Sequence, residues 1–162
     1  MRPIAGRNLQ AELAAVATGR TYRIVDLGSF EGNHNLVHGI NNQGTLVGAM
    51  LNPRSLSVEA CVIEGHETRL LGTLGGSFSV ARAINNRGDI VGGSLEQQDD
   101  NFHAFLFRNG KLQDLNKMIT NPLGWELVQA VAINDLGQIV GIGSLAGEDR
   151  IFLLLPTPAT QV

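Results

Sequence analysis

A single cysteine, Cys61, stands among the 162 residues, so the chain can form no internal disulfide. No Cys/His cluster with zinc spacing accompanies it, which gives no ground for a structural metal. Cys61 reads as a small core residue. Charge is also scarce: Asp, Glu, Lys and Arg make up 17% of the chain, the 12 basic residues are scattered, and the net charge is -3. No basic stripe exists to track a phosphate backbone, and nucleic acid is not an expected partner. Apolar runs are short, none near the ~20 residues that span a bilayer as a helix. At the N-terminus, Arg2, Arg7 and the stretch 9–17 superficially resemble a secretory signal, but Glu12 interrupts it. The remaining apolar stretch, 13–17, is shorter than the roughly 7 to 15 residues of such a core. Without a signal peptide the expected compartment is the cytoplasm, if Met1 is the native start.

Catalytic signatures are missing as well. There is no Gly-x-Ser-x-Gly, no His-Glu-x-x-His and no Walker loop; the Gly-rich stretch 72–77 has neither the lysine nor the following helix of a phosphate cradle. His34 and His38 lead into a strand, where i and i+4 lie about 13 Å apart, too far for one metal. Asp99, Asp100 and Asn101, with Glu96 nearby, read as a solvated loop lacking the alternating ligand spacing of a calcium site. No catalytic residue, metal or cofactor is assigned, and the chain is expected not to be an enzyme.

Twenty glycines and 43% hydrophobic residues suit a folded chain with many tight turns. Their arrangement is repetitive. Ile40-Asn41-Asn42-Gln43-Gly44-Thr45-Leu46-Val47-Gly48 returns as Ile84-Asn85-Asn86-Arg87-Gly88-Asp89-Ile90-Val91-Gly92, then as Ile133-Asn134-Asp135-Leu136-Gly137-Gln138-Ile139-Val140-Gly141, at spacings of 44 and 49 residues. Each copy predicts a hairpin: a strand end, two residues that tolerate a left-handed conformation and bond their own backbone, a glycine at positive φ, and a β-branched strand. The second glycine lets that strand bend or pack closely. A period of this length suits a four-stranded unit.

A third strand follows each hairpin, at 60–63, 104–107 and 151–154. All three are apolar at successive positions, which predicts burial on both faces. Fourth strands are expected at 68–71 and 111–115, the latter after Asn109-Gly110, a strong hairpin signal. The third copy has none, since Leu155 is followed by Pro156 and Pro158. Residues 22–27 of Tyr-Arg-Ile-Val-Asp-Leu resemble the missing strand, and an N-terminal strand completing the last repeat would close a ring without an exposed edge. The expected organisation is an amphipathic helix or arm over 1–20, a three-repeat β domain over 21–156 (repeats about 29–72, 73–116 and 117–156, with the closing strand 22–27), and a tail over 157–162. The helix would cover an open face of the domain or touch a partner or second protomer.

The stretch from Leu71-Gly72-Thr73-Leu74-Gly75-Gly76-Ser77 through Asn86-Arg87-Gly88, followed by His103-Ala104-Phe105-Leu106-Phe107-Arg108-Asn109-Gly110, resembles the HAF repeat, a family of extracellular repeat proteins named for its His-Ala-Phe triplet. The likeness covers about residues 22–155. The other copies depart from the triplet, with Glu59-Ala60-Cys61 and Asp149-Arg150-Ile151 in its place. The resemblance implies β-propeller blades and an extracellular setting, and little chemistry.

The expected fold is therefore all-β: three four-stranded repeats resembling β-propeller blades. Closed propellers have typically 4 to 8 blades, so two chains forming one six-bladed ring, a homodimer, is the preferred assembly. A monomeric threefold β-trefoil or β-prism is the alternative. The loops entering each hairpin, 28–35, 72–78 and 116–125, gather on one propeller face and carry polar residues with an aromatic or imidazole. His34, Asn35, Ser77, Phe78 and Trp125 are accordingly the candidate ligand-binding residues. Phe78 and Trp125 serve equally as wedges packed between blades. The Asn pairs are turn formers. The expected function is a non-enzymatic module engaging a protein partner; the alternative is a lectin-like carbohydrate-binding module.

Overall fold

The computed structural model describes residues 22–27, 36–97 and 101–157. The helix expected over 1–20, His34, Asn35, Asp99 and Asp100 lie outside them. The described chain is all-β, with eleven strands and one 3-10 turn. Strands β1 (Leu36–Ile40), β2 (Leu46–Leu51), β3 (Val58–Glu64) and β4 (Glu67–Gly72) form one antiparallel meander. β5 (Gly75–Ile84), β6 (Ile90–Glu96), β7 (Phe102–Arg108) and β8 (Lys111–Asp114) form the next. After a 3-10 turn at Leu115–Lys117, β9 (Trp125–Ile133), β10 (Ile139–Leu145) and β11 (Glu148–Leu154) form the third. A single parallel pairing, Val58 with Phe78, joins the first two meanders, and the third is a separate three-stranded sheet.

The repeated motif builds the β1–β2, β5–β6 and β9–β10 hairpins. Gly44, Gly88 and Gly137 take φ of 81°, 82° and 79°, the left-handed region that glycine enters without a Cβ penalty. The preceding asparagines do not share it. Instead Asn41, Asn85 and Asn134 each accept two backbone N–H bonds through Oδ1, from the residues two and four further on, at 2.9–3.1 Å. The closing glycine answers to packing: a Cβ on Gly92 would lie 1.9 Å from the Val80 carbonyl oxygen, at the bulge between Ala81 and Ala83.

Two cores separate three meanders. Val47, Ala60 and Val62 of the first pack on Ala81, Ile84, Ile90, Phe105 and Phe107 of the second. Val91, Ala104 and Leu106, on the other side of that second sheet, pack on Ala130, Ile139 and Phe152 of the third. Strands β3 and β7 are therefore buried on both faces, as their unbroken apolar runs predict. β11 is not: Phe152 is buried, but Ile151 and Leu153 are 77% and 61% exposed. The strand registers make Leu153 the match of Leu106 and Val62, which are 3% and 4% exposed. The reason is position, because nothing in the described chain packs beyond the third sheet. On the first meander, Val37 and Ile40 are similarly exposed, whereas their counterparts Ala81 and Ile84 are buried.

Residues 22–27 form no strand, and β11 is the edge of its sheet. Tyr22 and Ile24 are 93% and 94% exposed. In the single chain the closing strand is thus not paired with the third repeat.

Candidate binding face

The loops between β2 and β3, β4 and β5, and β6 and β7 open at one end of the strands, opposite the Asn turns. Between the first two meanders they enclose a cavity of about 670 Å³ lined by Ser55, Ser57, Glu59, Thr73, Ser77 and Glu96, among others. Ser77, expected in a loop, belongs to β5, and its exposed side chain reaches this cavity because alternate residues of a strand face opposite ways. Glu59 is buried but satisfied, accepting from Asn52 Nδ2 at 2.6 Å, Ser57 Oγ at 2.8 Å and Ser55 Oγ at 3.2 Å. Burying a carboxylate requires such partners.

Between the second and third meanders the same face carries a denser polar cluster. His103 Nδ1 lies 3.1 Å from Asp114 Oδ2 and 3.7 Å from Glu96 Oε1, and its Nε2 is 3.9 Å from Glu126 Oε1. Lys117 Nζ donates to Glu96 Oε1 at 2.5 Å and approaches Asp114 Oδ2 at 3.3 Å. Asp114 also caps the 3-10 turn by accepting from Asn116 N–H at 2.9 Å. Burial pushes the Asp114 carboxyl up, but the hydrogen bonds from His103, Asn116 and Lys117 outweigh it and hold it below the usual carboxylate range. Lys117 is held above its ordinary value by its bonds to Glu96 and Asp114. Ligating atoms of Glu96, His103 and Asp114 all fall within 4.8 Å of one another, a spacing one cation could bridge. The Lys117 ammonium already supplies a positive charge there.

The sequence-predicted aromatics are both half-buried. Phe78 is half-buried within β5 and packs on Phe102, ring centroids 5.6 Å apart. Trp125 opens β9 half-buried against the core between the second and third meanders. They are not matched positions: Trp125 pairs with Leu145 as Gly75 pairs with Glu96. Of the three candidates among the described residues, Ser77 lines the cavity and Phe78 and Trp125 do not. His38, in the middle of β1, stands 3.3 Å from Arg82, and burial and that guanidinium lower its pKa.

Sequence reasoning passed over His103 and Asp114, although a signal existed. The two-residue Asn109-Gly110 loop fixes Phe105 opposite Asp114, leaving His103 on the adjacent diagonal, within side-chain reach. It also read the Asn pairs as turn formers only, whereas they bond from turn to turn. Asn41 Nδ2 donates to Asn85 O at 3.3 Å, and Asn85 Nδ2 to Asn134 O at 3.1 Å. Asn42 N–H donates to Asn86 Oδ1 and Asn86 N–H to Asp135 Oδ1, both at 2.8 Å. No family model matches the chain, nor does any curated protein or solved structure.

Proposed function

We propose that this chain is a non-enzymatic binding module, half of a six-bladed β-propeller of the HAF-repeat kind, which forms as a homodimer and presents its polar face to a protein partner. The exposed far side of the third sheet carries the reading. Ile151 and Leu153 stand where Ala104 and Leu106, and Ala60 and Val62, are 0–4% exposed between sheets. Three units are fewer than the four to eight blades of closed propellers, and a surface suited to a neighbouring blade is met by another copy. The hydrogen bonds between the Asn turns support this, since each donates to the next in one direction and could continue across a chain boundary.

On such a ring the grooves between blades open to one face, where hydroxyls of Ser55, Ser57, Thr73 and Ser77 and the carboxylate of Glu96 are grouped. These groups suit extended peptide backbone and polar side chains. The hydroxyl-rich lining also favours a second reading, a glycan site. Selection of peptides against the native protein, followed by Ser77→Arg and Gln43→Arg, separates the possibilities. Peptide binding lost with Ser77→Arg and kept with Gln43→Arg, on the opposite end, supports the protein-partner reading. Binding confined to a glycan array and lost with Ser77→Arg replaces it with the lectin reading. Binding insensitive to Ser77→Arg removes this face from both.

A further inference from the structure

We infer that residues 22–27 of one chain form the outer strand of the third sheet of a second copy, pairing antiparallel with its β11. The inference rests on the ring reading and assigns the closure to exchange between chains. In the first two meanders an outer strand covers the third: β4 pairs with β3 and β8 with β7. In the third, β11 has no outer strand among the described residues. A bare edge invites a strand.

The segment fits that edge residue by residue. Arg23-Ile24-Val25-Asp26-Leu27 matches Lys111-Leu112-Gln113-Asp114-Leu115. β8 pairs Asp114 with Phe105, Gln113 with Leu106 and Leu112 with Phe107. Carried to the third sheet, where Phe152, Leu153 and Leu154 occupy those places, the register sets Asp26 opposite Phe152, Val25 opposite Leu153 and Ile24 opposite Leu154. Ile24, 94% exposed in the single chain, would then lie like the half-buried Leu112. Charge agrees as well. In the second sheet His103 reaches diagonally to Asp114; in the third the same diagonal joins Arg150 to Asp26, a complementary pair.

Connectivity decides between the chains. β4 runs directly into β5 and β8 through the 3-10 turn into β9, so an outer strand always precedes the first strand of the next sheet. Residues 22–27 precede β1 and therefore belong to the sheet packed in front of the first meander. Among the described residues, substantial packing runs from first to second and from second to third meander, not from third to first. On this reading another copy supplies the sheet in front of β1.

Cysteine pairing tests this directly. Equimolar Val25→Cys and Leu153→Cys chains, mixed by unfolding and refolding together, should give under mild oxidation a covalent species of twice 17.3 kDa, and neither chain alone should. Cys61 is buried, with burial raising its thiol pKa to about 11, and does not compete. The double variant Val25→Cys/Leu153→Cys should likewise cross-link between chains; an internally bridged monomer would overturn the exchange. As a second readout, Asp26→Arg should weaken dimerisation about tenfold or more, with recovery in Asp26→Arg/Arg150→Asp. A dimeric wild type in which neither cross-link nor charge reversal registers refutes the exchanged strand and leaves the ring standing. A wild type monomeric at micromolar concentration by light scattering sinks both.

Discussion

Leu153→Ala offers a graded test of whether the third sheet is covered. Leu153 is 61% exposed in the single chain, while its matches Leu106 and Val62 are 3% and 4% exposed. If a second copy packs on the sheet, more than half of this side chain passes from water into an interface. Full burial of a leucine side chain contributes about 1.5–3 kcal/mol, so the newly covered part contributes about 1–2 kcal/mol. A closed two-chain ring contains the contact twice, and the substitution should cost about 2–4 kcal/mol per dimer, some 30- to 1,000-fold in the dissociation constant. Sedimentation equilibrium over a concentration series reads the constant, and thermal unfolding at two concentrations gives an independent check, because a dimer's Tm rises with concentration. Leu106→Ala serves as the control, costing about 2–5 kcal/mol of folding stability in either state. If Leu153→Ala changes stability by less than about 0.5 kcal/mol, with mass and Tm independent of concentration, the face is ordinary surface and the assembly argument fails.

Other expectations follow from single contacts. Asn85→Ala removes two accepted and two donated hydrogen bonds from a residue 3% exposed and should cost about 2–4 kcal/mol, read by urea titration. Asn134→Ala, at an exposed turn, should cost nearer 1 kcal/mol unless the turn is buried in a dimer. Gly92→Ala should unfold the chain or lower its Tm by many degrees, since no Cβ fits 1.9 Å from the Val80 carbonyl oxygen. Arg108→Met leaves Asp89 without bonds of 2.7 and 2.9 Å and should destabilise by about 1–3 kcal/mol. The Asp114 carboxyl is held below its ordinary range, so its contribution is complete above the unfolded value of about 3.9. That contribution is lost as pH falls from there through the lower folded value. Asp114→Asn should therefore lower stability at pH 7 and flatten its dependence on pH below about 4, as measured by acid titration of circular dichroism.

The parts of this fold legible in the sequence are those fixed over short distances. Gly44, Gly88 and Gly137 mark turns because a left-handed residue is needed within each, and Asn109-Gly110 marks its hairpin by φ of 53° and 75°. Burial of β3 and β7 was legible because each carries its own apolar run. The run in β11 says as much, yet nothing in the described chain covers it, so the reading of burial there met exposed Ile151 and Leu153. Registers were the weak point. Placing Asp149-Arg150-Ile151 under the His-Ala-Phe triplet is one residue out, for pairing of Gly141 with Phe152 and Gly92 with Phe105 puts Arg150-Ile151-Phe152 there. Corrected, the triplet's first residue is Glu59, His103 or Arg150, a polar side chain in every copy. Among the described candidates the face was legible in Ser77; the Glu59 and His103 networks join residues across loops and sheets, which no local pattern announces.

Directionality is the remaining constraint on assembly. The Asn turns bond head to tail, with Asn41 donating to Asn85 and Asn85 to Asn134. A contact of this kind joins unlike surfaces, so repeated between chains it either closes into a ring or runs on as a filament. The packing between sheets sets the angle, but both outcomes could satisfy it locally. An exchanged strand narrows the choice, because residues 22–27 reach the neighbour's β11 only when its third sheet stands directly in front of β1. Asp135 adds to this: its carboxyl, held low by the Asn86 N–H and side chain, keeps a charge at the leading turn. Across a chain boundary the Asp135 N–H would meet Asn42 Oδ1, as the Asn86 N–H meets Asp135 Oδ1. Removing residues 1–27 should therefore leave the apolar and turn contacts but loosen the closure. The expected result is a shift from one discrete dimer toward monomer and a polydisperse series, whereas a sharp dimer peak unchanged by the truncation would show that the sheets alone set the ring.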